Sequence, residues 1–198
     1  MRATYTAKKD QIINTAAALS LRQGVSNTAV LDIANALGVS KGHVYHYFKS
    51  KEEIIDSIAE TTIRGIDEIR EYYKGLGNIS ATEALHRCIK FWLLQGHEDR
   101  AHNAFFDREF RSLSPEIGKR LTDAAIQNIN FFEYRLDDGI KTGEFKVKNT
   151  RLVAFNIWAS AHEWAVRRWF FRGFLTAEEY AEQQADFILN SIVVNKNL

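Results

Sequence analysis

A single proline, Pro115, stands in a chain of 198 residues. Long stretches between turn signals therefore lack the residue that most strongly ends a helix. Within them apolar residues recur at steps of three and four, the spacing of one helix face, and no stretch alternates as a half-buried strand would. The expected fold class is all-α, with about nine helices. Hydrophobic residues make up 45% of the chain, enough for a substantial core at this length.

The punctuation between the periodic runs sets the helix boundaries. "KKDQIINTAAALSLRQ", residues 8–23, carries a stripe at Ile12 or Ile13, Ala16 and Leu19 and stops at Gly24. Thr28 is expected to cap "AVLDIANAL", which stops at Gly38. Ser40 caps the next segment, and Ser50 with Glu53 reads as a capping box for the one after. Steps of three and four from Ile55 to Leu76 describe one long helix opened at Lys51, about 39 Å in length. Ser80 with Glu83 forms another box, a shorter helix covers 101–112, and Ser114-Pro115 starts a helix through about Lys141. Residues 150–172 and 177–193 give two more, the last opened by Thr176 and Glu179.

Three short helices followed by a long one suggest a small head on a helical body. Ala34, Gly38 and Val44 sharpen the suggestion. In a helix-turn-helix a small residue lets the second helix cross closely, a glycine takes the left-handed turn, and a branched apolar residue plugs the crossing. The second helix of such a unit places its N-terminal residues at base edges in the major groove. Lys41, Gly42 and His43 hold that end; Lys41 and His43 can donate to guanine acceptors. Tyr45, His46 and Tyr47 follow around the next turn, suited to phosphates and to a thymine methyl. Lys51 opens the next helix, where free backbone N–H groups also favour phosphate. Ser40 and Lys49 flank this set. Residues 1–51 carry seven Lys/Arg against Asp10 and Asp32, a net of +5, while the whole chain is +1. A basic end on an acidic remainder suits an anionic partner. His43 and His46 have the spacing of a metal pair, but no third ligand lies nearby in sequence, so no metal and no cofactor is expected.

"TAVLDIANALGVSKGHVYHYFKSKEEI", residues 28–54, resembles the DNA-binding head of the TetR family of bacterial transcription regulators. The matching positions are Thr28, Val30, Ile33-Ala34, Gly38-Val39-Ser40, Gly42, Val44-Tyr45, Tyr47-Phe48 and Ser50-Lys51-Glu52. The resemblance implies an N-terminal three-helix helix-turn-helix head, residues 1–50, and a larger helical effector-binding and dimerisation domain, residues 51–198. It implies phosphate contacts from Thr28, Tyr47 and Lys51, and base or groove contacts from Lys41, Gly42, His43, Tyr45 and His46. Departures from the family pattern are Leu31 for a frequent Arg, Ala29 for Ser or Thr, His43 for a small residue, and Ser20 for an aromatic. Leu19 and Leu21 are expected to fill the space left at Ser20.

The same resemblance implies a homodimer through the last two helices, a double-stranded operator of near-palindromic sequence, and a small apolar or amphipathic effector. Two heads would sit about 34–36 Å apart. Ala177, Ala181, Ala185, Ile188 and Ile192 form a small-residue stripe suited to a helix-bundle dimer interface, and a core within the chain would look the same. Aromatics crowd the body, and Trp92, Phe106, Phe132 and Trp158, with Arg108 and His162, are the candidate effector contacts. "HEWAVRRWFFRG" and "FFDREFRSLSPE" are similar to a subgroup that senses acyl-CoA thioesters, so that arginines would meet phosphates and aromatics the acyl chain.

Alternative readings are a helical enzyme and a helical protein-interaction module. "HEWAV" at 162–166 opens like a zinc-protease motif but has Val166 where the second histidine belongs. There is no Gly-x-Ser-x-Gly, phosphate loop or dinucleotide fingerprint. An interaction module would not need the basic head. The lone Cys88 fits a reducing compartment and a buried thiol. "MRATYTAKKDQII" has no apolar core of a signal peptide, and no run reaches the length of a membrane span. The expected setting is the cytoplasm, with no membrane contact, and the expected function a ligand-responsive repressor.

Overall fold

The computed structural model describes residues 2–98 and 100–194. Among them the α-helices are α1 Arg2–Gln23, α2 Val30–Leu37, α3 Lys41–Tyr47, α4 Lys51–Ile63, α5 Gly65–Gly75, α6 Ala81–Glu98, α7 Arg100–Glu109, α8 Pro115–Lys141, α9 Thr150–Phe171 and α10 Ala177–Ile192. A 3-10 turn, Phe110–Ser112, precedes α8. The described residues hold no β-strand, only one antiparallel bridge between Phe145 and Val193. The class is all-α, with a helix-turn-helix at the N-terminal end.

The run from Lys51 to Leu76 is two helices rather than one. Arg64 separates α4 from α5 with φ −63° and ψ −21°. Those angles are those of a tight 3-10 turn, which keeps the chain helical in sense while breaking the α-helical ladder. The apolar spacing therefore runs straight through the break. At the other end, α1 starts at Arg2, ahead of the apolar stripe that marks it.

Several caps differ from expectation for a local reason. Thr28 does not cap α2: its hydroxyl donates to the Gly24 carbonyl at 2.8 Å, and Ala29 is the N-cap. The Ala29 N–H donates instead to Asp32 Oδ2 at 2.8 Å. Ser50 Oγ accepts from the Glu53 N–H at 3.2 Å, but the Glu53 carboxylate accepts from the Lys49 N–H at 2.6 Å. Ser80 Oγ accepts from Glu83 N–H at 3.1 Å, while the Glu83 carboxylate turns to Arg87 Nε at 2.6 Å. Thr176 and Glu179 do form the reciprocal box.

Packing divides the chain into two compact units. The first takes in residues up to Ile63 together with Ala101–Leu121. Its core gathers Ile12, Ala17, Ile33, Val44, Phe48 and Ile54 with Phe105 of α7 and Ile117 of α8. Leu19 and Leu21 pack against it, and Ser20 is itself buried. The second unit comprises Arg64–Arg100 and the chain from Thr122 onward. There α6 lies against α5, α9 and α10. A side chain at Gly96 would press on Ala161, so glycine sets the close crossing of α6 and α9. Cys88 is buried at this centre, and burial pushes its thiol pKa up to about 12, which leaves it inert.

Glu144 ties the second unit together from outside a helix. Its carboxylate accepts from the Ala81 N–H at 3.0 Å, the Thr82 N–H at 2.9 Å and the Thr82 hydroxyl at 2.8 Å. These are the free donors at the start of α6. Desolvation would raise the carboxyl pKa, but the bonds from Thr82 and Ala81 outweigh it and bring it down from 4.5 to about 2. Glu144→Gln is expected to lower stability at neutral pH by about 1–2 kcal/mol. A depressed carboxyl contributes fully above its ordinary pKa of 4.5 and progressively less as pH falls toward about 2. Urea unfolding of both proteins should therefore show a gap at pH 7 that narrows over that acid range.

Candidate nucleic-acid interface

The head begins with a turn that only glycine takes easily. Gly38 ends α2 at φ 67°, ψ 29°, and the Val39 N–H donates back to the Ala34 carbonyl at 3.0 Å. Ala34 is wholly buried, so α3 crosses α2 closely. Ser40 caps α3, its Oγ accepting from the His43 N–H at 3.1 Å. Val44 is the one buried residue of α3, and Phe48 just past its end is also buried.

Fixing α3 by Val44 and Phe48 leaves its other side chains free. Lys41, Gly42, His43, Tyr45, His46 and Lys49 are exposed, and Tyr47 is half-buried. Tyr45, at 45% exposure, is a surface aromatic, whereas Phe48, at 1%, is a core one. The rings of His43 and His46 lie 5.3 and 5.1 Å from that of Tyr47. The Lys41 ammonium sits 5.6 Å over the Tyr45 ring. A Cβ at Gly42 would meet only Ser40 Oγ, at 3.8 Å. Among the described residues nothing therefore demands glycine there, although it costs about 1 kcal/mol in a helix relative to alanine.

Two candidates are placed differently from this open face. Thr28 is buried, its hydroxyl hydrogen held by Gly24. The Lys51 ammonium donates to the Val25 carbonyl, which ties α4 to the loop before α2. Leu31, where the resemblance expects an arginine, is an exposed apolar residue on α2. Tyr5 was invisible to periodicity. Its ring lies 4.9 Å from that of Tyr47 and 6.4 Å from that of His46, so α1 buttresses the face from a distant part of the sequence.

The candidate effector residues fall into the two units. Phe106 and Arg108 belong to the first: Phe106 is buried against Phe105, and Arg108 donates to the Leu21 carbonyl at the end of α1. The other four gather in the second. Trp92 meets the ring of Phe132 edge-on at 6.1 Å and donates through Nε1 to the Trp158 carbonyl at 3.4 Å. His162 stacks on Trp158, ring centres 6.2 Å apart, and is half-buried. Sequence reading missed Gln95 and Asn128. They lie one helical turn from Trp92 and Phe132 respectively and are buried, and among the described residues Gln95 Oε1 and Asn128 Oδ1 meet no hydrogen-bond donor.

The small-residue stripe of α10 is not an open interface. Ala177, Ala181, Ala185, Ile188 and Ile192 are all buried within their own unit, where α10 lies against α6. The faces left open carry large apolar groups instead: Leu152 and Phe155 on α9, Trp169 and Phe170 at its end, and Phe187 on α10.

Known proteins share this arrangement. Residues 12–58 match the family model described as "Bacterial regulatory proteins, tetR family", and residues 78–192 that described as "Tetracyclin repressor-like, C-terminal domain". The HTH-type transcriptional repressor KstR2 of Rhodococcus jostii is 27% identical over 206 residues, spanning 97% of this chain and 94% of that protein. The TetR family transcriptional regulator PfmR from Thermus thermophilus has a TM-score of 0.77 and 29% identity, over 90% of this chain and 97% of its own. FadR from Bacillus subtilis, solved in complex with stearoyl-CoA, has a TM-score of 0.65 and 24% identity, over 91% and 95% of the two chains, and shares the fold.

The division of α3 into plug and face is measurable. Phe48→Ala should lower stability by about 3–5 kcal/mol, whereas Tyr45→Ala should stay within about 0.5 kcal/mol of the parent. Urea unfolding of the two variants checks both.

Proposed function

Since the chain belongs to the TetR family of bacterial regulatory proteins, we propose that it is a dimeric repressor of a near-palindromic operator, released by an amphipathic thioester of the fatty acyl-CoA class. Its relatives regulate transcription, and the chain is a regulator rather than an enzyme. One observation carries the DNA reading: α3 buries a single side chain, Val44, in its own core, rests Tyr47 partly on it, and turns Lys41, His43, Tyr45 and His46 outward. Gly42 supports it, since its only evident use is close approach of the helix backbone to a surface outside the chain.

In this reading residues 1–50 read DNA and residues 51–198 bind the effector and the second subunit. Lys41 and His43 meet base edges. Tyr45, His46, Tyr47 and Lys49 meet the backbone and groove walls. Thr28, Ser40 and Lys51 act at the frame of the unit, holding α2, α3 and α4 where phosphates reach their N-terminal ends. Operator binding places the protein in the cytoplasm with the chromosome.

The effector reading rests on the second unit. Trp92, Phe132, Trp158 and His162 supply an aromatic environment, and Gln95 Oε1 and Asn128 Oδ1 supply two buried acceptors that meet no donor among the described residues. An amide-bearing chain, as in the pantetheine arm of CoA, offers N–H donors beside an apolar tail. Stearoyl-CoA in the FadR complex is a ligand of that chemistry. We assign the dimer contact to the open faces of α9 and α10, where Phe155 and Phe187 stand exposed.

Operators selected from random duplexes provide the substrate for the test. His43→Ala should relax discrimination at one or two base pairs by about 1–3 kcal/mol; a uniform loss over all sequences would refute its role at base edges. Stearoyl-CoA should displace the wild-type protein from DNA, and stearate alone should not. In sedimentation, Phe187→Glu should shift the protein from dimer to monomer with its helix content intact; an unchanged dimer sinks the assignment of that face.

A further inference from the structure

Away from the head, α6 and α10 bring one imidazole and two carboxylates to the wall of a cleft of about 440 Å³. Thr82, Glu83 and His86 line it from α6, and Glu182, Asp186 and Asn190 from α10. His86 Nε2 lies 3.4 Å from Glu182 Oε1 and 3.3 Å from Asp186 Oδ1. Glu182 and Asp186 stand one turn apart on the same face of α10, as i and i+4 neighbours. Lys90, one turn beyond His86, donates to the other oxygen of Glu182 and so leaves Oε1 directed at the imidazole.

We propose that His86, Glu182 and Asp186 bind one divalent transition-metal ion of the zinc class, with the remaining position open to the cleft. Three features support this assignment. First, the three donor atoms lie within 4.8 Å of one another, and the imidazole stands from each carboxylate at the separation that donors about 2.0–2.2 Å from a tetrahedral zinc would have, about 3.3–3.6 Å. A closed imidazolium–carboxylate pair would instead draw in to about 2.7–2.9 Å. Second, the donor set is chemically selective. One imidazole nitrogen with two carboxylate oxygens suits zinc, cobalt or nickel, whereas magnesium and calcium take oxygen ligands in greater number. Third, the cleft gives the ion a route in and room for a water ligand. The ion would clamp α6 to α10, the two helices whose packing buries the alanine stripe of α10.

The full-length protein, stripped by chelator, is titrated with Co²⁺ and followed by visible absorption. The expected result is one ion per chain with low-symmetry d–d bands, displaced by Zn²⁺ and not by Mg²⁺. His86→Ala and Asp186→Asn should each weaken binding by about 100-fold or more, beyond the 10–100-fold typical of outer-shell changes. Both positions are partly or wholly exposed, and circular dichroism checks that each variant folds. The double variant His43→Ala/His46→Ala should keep the bands, and Zn²⁺ should raise the melting temperature of the wild type but not of His86→Ala. No uptake by the wild type, bands that survive both cleft variants, or bands lost only with the head histidines would overturn the proposal.

Discussion

Burial of Val44 against α2 is the contact on which the rest of the head depends. A seven-residue helix with glycine at its second position is too short to persist alone. It exists because one branched side chain enters the space that Ala34 leaves open and because Phe48 closes the core behind it. The consequence is functional. Apart from Tyr47, which packs partly against the same core, the other residues of α3 are released from structural duty, so lysine, histidine and tyrosine can be chosen for what they touch outside the chain. Poor helix propensity and rich surface chemistry have the same origin.

The legible part of the molecule was the part whose interactions are local. Ala34, Gly38 and Val44 lie within eleven residues, and their spacing alone describes the crossing. Thr176 with Glu179 read correctly as a box because both partners belong to one turn. The misses come from competing partners, some within one turn and some far along the chain. Glu83 does not close its box because its carboxylate turns to Arg87, one turn further along α6. Thr28 looked like a cap, but Gly24 takes its hydrogen. Tyr5 supports Tyr47 across the whole head, and no periodicity links them. The proposed ligand set His86, Glu182 and Asp186 comes from two helices far apart in sequence, so a reading along the chain does not assemble it.

The α10 stripe shows how one pattern serves two assignments, a dimer face or a core within the chain. Small residues at helical spacing report close helix packing and say nothing about whose helix is packed. Here α6 of the same chain takes the place, and Gly96 and Ala161 permit an equally close crossing of α6 with α9. What distinguishes an outward face is large apolar surface that folding leaves exposed, as at Phe155, Trp169 and Phe187. That property belongs to the folded unit and cannot be read from residue type, since equally large groups such as Trp164 and Phe132 are buried.

Coupling between effector and DNA has to satisfy an energetic condition and a covalent one. A ligand shifts a two-state equilibrium only by its difference in affinity for the two states; moving it from 1:99 to 99:1 takes about 5.5 kcal/mol. Burial of an acyl chain supplies about 0.8 kcal/mol per methylene, so about seven methylenes sequestered in one state alone would suffice in magnitude. The chain itself passes between the two packing units after Ile63, after Arg100 and after Leu121. The first passage coincides with the Arg64 break between α4 and α5, and the last lies inside the continuous helix α8. A break can absorb a rotation that a continuous helix transmits along its length.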